Sequence, residues 1–182
     1  MSDISKTTVT AWKKISERRF RFGYRRAVRR NYELPDGRRT DFSLLDVGEI
    51  VCVLAFTPTR RVVLAKQFRP GPEAIILDLP GGMSESGESA YVAAARELVE
   101  ETGYIAQQLT LVTTTFVSAY SIGVRHHFVA LNCVRAHTQM LDENEFIEVV
   151  DVPFDEFLHL LRTGEIVDTA TAFLGLDYLG WR

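Results

Sequence analysis

Only two cysteines, Cys52 and Cys133, occur in 182 residues, and both sit inside apolar runs. A disulfide framework is therefore excluded, and both are read as buried thiols of a protein from the reducing cytoplasm. Long hydrophobic runs are missing as well. The cleanest, IVCVLAF at positions 50–56, falls far short of the roughly 20 apolar residues of a membrane span. The opening MSDISKTTVTAWKK has no apolar core of a signal peptide. There is no repeat and no low-complexity linker. With 46% hydrophobic and 25% charged residues, the composition is that of a folded globular chain of one domain, or of one domain with a small addition.

Charge is unevenly spread. Residues 13–39 hold eleven Lys or Arg against three acids, a local balance of +8 that leaves −11 for the remainder of a chain whose net charge is −3. An extended phosphate backbone would be repelled by that acidic remainder, so nucleic acid is not the expected partner. Two uses of the basic stretch RRFRFGYRRAVRR stay open: solvated edge strands whose arginines discourage further pairing, or a role beside a small phosphate-bearing substrate. A soft boundary falls near residues 46–49, where arginine gives way to apolar runs.

Turn chemistry and periodicity place the elements. Pro-Asp-Gly in ELPDGRRT separates FGYRRAV from TDFSLLDV and predicts a hairpin. IVCVLAF and RVVLAKQF flank a second turn. SAYVAAARELVEET predicts the best helix, closed by Gly103 at the position after its last turn. Strands return at QLTLVTTTFV, VRHHFVALNCV and FIEVVDV, and helices at FDEFLHLLR and TATAFLGLDYL. Strands on both sides of a central helix predict a mixed sheet covered by helices. His126 and His127 lie in a strand, so alternation sends one inward and the other outward, and neither has a partner at zinc spacing.

The central helix poses a physical problem. At about 100° per residue, with Ala93 at zero, Glu97 falls at about 40°, Glu100 at about 340° and Glu101 at about 80°. Three like charges share one arc, and each such pair costs a few tenths of a kcal/mol. Ala90 and Ala94 lie near the same arc and let it approach another layer. A hard divalent cation, which prefers carboxylate oxygens and bridges to phosphates, would offset the repulsion.

The segment GGMSESGESAYVAAARELVEETGY resembles the signature of the Nudix hydrolases: Gly82, five residues, Glu88, seven residues, Arg96, Glu97, Leu98, one residue, Glu100, Glu101, one residue and Gly103, with Tyr104 where an aliphatic residue is commoner. The resemblance implies an α/β/α sandwich with a mixed sheet and a small N-terminal antiparallel β subdomain. Residues 1–47 would form a dimerising, base-binding β arm and residues 48–182 the catalytic domain. It implies Mg²⁺ or Mn²⁺ held by Glu97, Glu100, Glu101 and the Gly81 carbonyl, with Glu88 and Arg96 paired to brace the loop between Gly82 and the helix.

The flanks DVGEIVCVLAF, VVLAKQFRP, LDLPGG and ENEFIEVVDVPFDEFLHLLRTGEIVDTAT are similar to the branch that cleaves ADP-ribose and nucleoside diphosphate sugars. By that resemblance Arg69 contacts a substrate phosphate, and Glu143 and Glu145 join Glu100 as catalytic carboxylates, one of the two orienting or deprotonating the attacking water. Phe22 or Tyr24, with Phe20 and Trp12 as further candidates, would stack on the nucleobase. Gly123 stands where the branch carries a loop glutamate. A homodimer acting on a small nucleotide is implied. A dinucleotide polyphosphate hydrolase and a weakly catalytic nucleotide sensor are the competing readings.

Overall fold

The computed structural model describes residues 9–181. They fall into two compact units, one holding the residues up to Val47 together with Val117–Ile122, the other Gly48–Phe116 and the residues from Gly123 onward.

In the first unit, β1 (Lys13–Phe22) and β2 (Arg25–Glu33) form an antiparallel hairpin. Its turn passes through Gly23 at φ 60°, a left-handed conformation that glycine adopts without a Cβ clash. The Pro-Asp-Gly turn connects β2 to β3 (Arg39–Phe56), pairing Glu33 with Arg39 and Val28 with Leu44. Val28 and Leu44 are buried on one face. On that face Trp12 packs against Phe42 and Tyr32 at centroid distances of 5.6 and 6.0 Å, and Tyr120 closes on Phe42 at 6.2 Å. Many arginines of the hairpin are spoken for: Arg30 and Arg19 bond Glu17, Arg19 also Asp46, and Arg29 Asp41.

The second unit takes the rest of β3 with β4 (Val62–Arg69), β5 (Ala74–Asp78), β6 (Gly81–Met83), α1 (Ala90–Thr102), β7 (Tyr104–Ile105), β8 (Gln108–Phe116), most of β9 (Ser121–Leu131), β10 (Val134–Arg135), β11 (Ile147–Val152), α2 (Phe154–Thr163) and α3 (Thr169–Tyr178). Antiparallel ladders join β4 to β3, β5 and β11, β3 to β6, and β8 to β9. A parallel bridge ties Leu77 to Ile166.

IVCVLAF is apolar throughout because both of its faces are covered. Cys52, Leu54 and Phe56, with Val62, Leu64 and Val129, pack on Phe157 and Leu161 of α2 and Ala172 and Leu176 of α3. Val51, Val53 and Ala55, with Val63, Phe128 and Ala130, pack on Ala93, Ala94 and Leu98 of α1. The outcome is the expected α/β/α sandwich. Both cysteines are buried free thiols, and burial pushes Cys133 up to about 12. Among the described residues no helix is long and apolar enough to cross a membrane.

β5 and β6 were not read as strands in the sequence. Pro80 and two glycines break their pattern, and they exist because β4 and β3 supply partners. α3 lies close to the sheet at Gly175, where a Cβ would come within 2.7 Å of Leu54 Cδ2 and 3.0 Å of Val129 Cγ2. Gly175→Ala is therefore expected to destabilise the protein by about 1–3 kcal/mol through overpacking, outweighing the helix propensity gained. Thermal unfolding of the variant checks this; an unchanged or raised Tm would contradict it.

Candidate active site

α1 is held at both ends by its own sequence. The Ser89 hydroxyl accepts the Val92 N–H at 3.3 Å, and Gly103, at φ 72°, donates its N–H to Val99 O at 2.7 Å. Between these caps the helix buries Ala93, Ala94, Leu98 and Glu101. The small alanines bring the helix down on the sheet, so Glu97 and Glu101 meet the Gly81-Gly82 strand.

Glu101 is 5% exposed. Its Oε2 accepts the Gly81 N–H at 2.9 Å. Burial pushes the Glu101 carboxyl up to about 8, helped by the charges of Glu97 and Glu145 and opposed by the Gly81 hydrogen bond and Arg69. Glu97 is raised too, first by burial and then by Glu100 and Glu145, against the pull of Arg96. It lies on Gly82, where a Cβ would come 2.6 Å from its Cδ.

Arg96 anchors the arc. Its Nε and Nη2 grip Glu88 side-on at 2.9 and 3.0 Å, a bidentate fork. Nη1 bonds Glu97 at 2.9 Å and Glu100 at 2.8 Å, and Nη2 also reaches Met83 O at 3.1 Å. The expected Glu88–Arg96 pair is thus present, with two further glutamates on the same guanidinium. Among the described residues no three His, Cys, Asp or Glu side chains converge as a ready ligand cage. The donor set nevertheless suits a hard divalent cation. Buried carboxylates that repel one another, with the nearest guanidinium drawn mainly to Glu88, need positive charge that the side chains supply incompletely.

Arg69 donates Nε to Asp78 at 2.7 Å, and Gln67 also reaches that buried carboxylate, at 3.3 Å. Its charge works against the upward shift of Glu101. Glu145 acts on both Glu97 and Glu101 from a turn in which its Oε2 accepts the Asp142 N–H at 3.1 Å. Glu143 is exposed in the same turn. Phe22 and Tyr24 belong to the other unit, at the β1–β2 turn, 67% and 79% exposed, with Arg25 5.0 Å over the Tyr24 ring. Gly123 lies within β9.

The histidines divide as alternation requires. His127 is buried between Thr115 and Thr171, at 2.8 and 2.7 Å, and burial with the charge of Arg125 lowers its pKa. His126 bonds Thr114 and Glu49. Three groups escaped the sequence reading: Asp78, which holds Arg69; the Arg125–Asp168 pair at 2.6 Å; and Gln139, which bonds main-chain oxygens of Glu101 and Ile147. Only the hydrophobic context of LDL hinted at the first, and nothing in the spacing marked the others.

Comparison with known proteins agrees with this geometry. Residues 47–170 match the NUDIX domain model. The chain is 36% identical over 149 residues to an ADP-ribose pyrophosphatase of Bacillus subtilis (strain 168), covering 81% of this chain and 80% of the relative. It is 31% identical over 144 residues to a GDP-mannose pyrophosphatase of Salmonella arizonae, covering 74% of each. A crystal structure of an ADP compounds hydrolase superposes with a TM-score of 0.81 at 21% identity, over 96% of this chain and 97% of the other. With its glutamate arc, its Arg96 brace and these relatives, the chain belongs to the Nudix family of pyrophosphohydrolases.

Proposed function

We propose that the protein hydrolyses the pyrophosphate bond of ADP-ribose or a related nucleoside diphosphate sugar, giving a nucleoside monophosphate and a sugar phosphate, with Mg²⁺ or Mn²⁺ as cofactor. The observation that carries the reading is the glutamate arc of α1 laid on the Gly81-Gly82 strand, with buried Glu101 accepting the Gly81 N–H at 2.9 Å and Glu97 packed on Gly82. The relatives named for ADP-ribose and GDP-mannose support the substrate class.

Glu97, Glu100, Glu101 and the Gly81 carbonyl would hold the cation. When bound, it neutralises diphosphate charge and makes a coordinated water more acidic. Arg69, fixed by Asp78 through Nε alone, keeps its remaining N–H groups for a phosphate oxygen. Glu145 orients the attacking water and takes its proton as the new P–O bond forms, while the bridging oxygen leaves with the other phosphate. Glu88 and Arg96 hold the loop from Gly82 to α1, and Gly103 ends the helix.

Residues 1–47 act as the base-binding arm, through Phe22 and Tyr24 or through Trp12, Tyr32 and Phe42, against which Tyr120 packs, in a cytoplasmic homodimer. The catalytic domain then comprises residues 48–182. The aromatic cluster lines a cavity of about 430 Å³, with room for a heterocyclic base.

Incubation with ADP-ribose, GDP-mannose, dinucleotide polyphosphates and nucleoside triphosphates, with Mg²⁺, Mn²⁺ or chelator, tests the proposal. AMP and ribose 5-phosphate are expected from ADP-ribose only when metal is present. Cleavage of dinucleotide polyphosphates alone would replace the substrate class. A panel left intact, with a nucleotide still raising Tm, would replace hydrolysis by sensing.

A further inference from the structure

From Val134 to Phe146 no residue is buried, so apolar packing does not place the turn that carries Glu143 and Glu145. Polar bonds to the end of α1 do. A helix leaves its last carbonyls without intrahelical partners, and here they are taken up in succession: Val99 O by the Gly103 N–H at 2.7 Å, Glu100 O by the Met140 N–H at 2.9 Å, and Glu101 O by the Gln139 side chain at 2.7 Å. The same Gln139 nitrogen also donates to Ile147 O at 3.0 Å. A primary amide has two N–H donors. Both are committed, one to the end of the glutamate helix and one to the first residue of β11.

Between these anchors the turn closes on itself. The Glu145 N–H bonds Asp142 O at 2.9 Å, and the Asp142 N–H bonds Glu145 Oε2 at 3.1 Å. Residues 142–145 therefore move as a small unit, with Met140 bonded at one end and Ile147 at the other. A surface segment with so little burial takes its position from such bonds, and loses it when one is removed.

We propose that Gln139 is a positioning residue: its side-chain amide pins the start of β11 to the end of α1 and so sets Glu145 against the Glu97–Glu101 pair. The inference rests on the hydrolysis proposed above, in which Glu145 handles the attacking water. Both donors of the Gln139 amide are spent on main-chain oxygens. It acts on the reaction through where it holds another residue.

Gln139→Met keeps length and bulk and removes both donors. Its expected result is a kcat lowered about 10–100-fold, the range that follows a misplacement of about 1 Å, with KM within about twofold of the parent. Backbone amides of residues 140–146 should exchange hydrogen faster, in chelator and without substrate. Gln139→Asn, one methylene shorter, can hold only one of the two carbonyls and should fall between parent and Met variant. In a Glu145→Gln background the further loss from Gln139→Met should nearly vanish, since residues acting as a unit are not additive.

Additive losses, or unchanged exchange at 140–146, would overturn the inference. A lowered Tm with kcat per folded molecule intact would do the same, because it marks Gln139 as ordinary scaffold. If the parent leaves ADP-ribose intact, it is the substrate reading that fails. Hydrogen exchange needs no substrate and still decides the latch, and kcat is then read on whichever compound of the panel is cleaved.

Discussion

Glu101→Gln is expected to lower turnover at least about a thousandfold while the protein stays folded. Glutamine retains the shape of the side chain and an oxygen that can accept the Gly81 N–H, the one hydrogen bond the carboxylate receives from that strand. What it removes is charge, at a position only 5% exposed where Glu97 and Glu145 already oppose ionisation. Without a cation that charge is a burden, because an uncompensated buried carboxylate costs several kcal/mol. With a cation held as proposed it would serve as a ligand. Lewis-acid stabilisation of several kcal/mol corresponds, at 1.36 kcal/mol per tenfold, to a loss of about 10³ in rate.

Two measurements therefore move in opposite senses. In chelator the variant should melt at the parent's temperature or above it. With Mg²⁺ the parent should gain stability by mass action, and the variant should gain little. A variant keeping more than about a tenth of the parent's kcat would remove Glu101 from the metal site. A fall of several degrees in chelator would make its role structural.

The sandwich was legible because its signals are local and repeated. α1 carried an alanine-rich run and its own stop at Gly103. The apolar runs of β3 and β4 were long enough to mark strands, and the Pro-Asp-Gly turn fixed where β2 meets β3. The carboxylate arc was legible for the same reason, since helical periodicity alone puts Glu97, Glu100 and Glu101 on one side. β5 and β6 are short, broken by Pro80 and the glycines, and stabilised by neighbours distant in sequence, so their strand character belongs to the sheet.

The parts of the site that stayed hidden are those made by pairing across the fold. Asp78 is one acid in an apolar stretch until β5 lies along β4 and sets it on Arg69. Gln139 is one more polar residue in a loop until its two N–H groups find carbonyls at the ends of two separate elements. Side chains of this kind carry no period, and no spacing rule points to them. Glu143 and Glu145 came from resemblance and from an acidic turn.

The adjacent glycines of β6 provide the second large effect, because alanine at each should fail in a different way. Gly81 and Gly82 face Cys52 and Val51 across the β3–β6 ladder, and neither has a positive φ. Space, not backbone conformation, is what demands glycine. At Gly81 a Cβ would strike the Val51 carbonyl oxygen and stand 2.9 Å from the Cys52 Cα. Main chain in the middle of a buried sheet has nowhere to go, so β6 must part from β3 and the Gly81–Glu101 bond breaks with it. Gly81→Ala should cost about 2–4 kcal/mol, the upper part of the overpacking range and beyond, and lose activity chiefly because less protein is folded.

At Gly82 the Cβ would first meet the carboxylate end of Glu97, 2.6 Å from Cδ and 2.7 Å from Oε2. That end can swing away by rotamer change at a cost near 1 kcal/mol, but in doing so it leaves the Glu101 side and its 2.9 Å bond to Arg96. Gly82→Ala should therefore melt within a few degrees of the parent and turn over about a hundredfold more slowly, the cost of a group in the site displaced by about 1 Å. Melting curves and kcat measured side by side separate the two glycines. Full activity in Gly82→Ala would mean that Glu97 does not need its place against the strand, and a parental Tm in Gly81→Ala would mean that β6 is not held as closely to β3 as the clash requires.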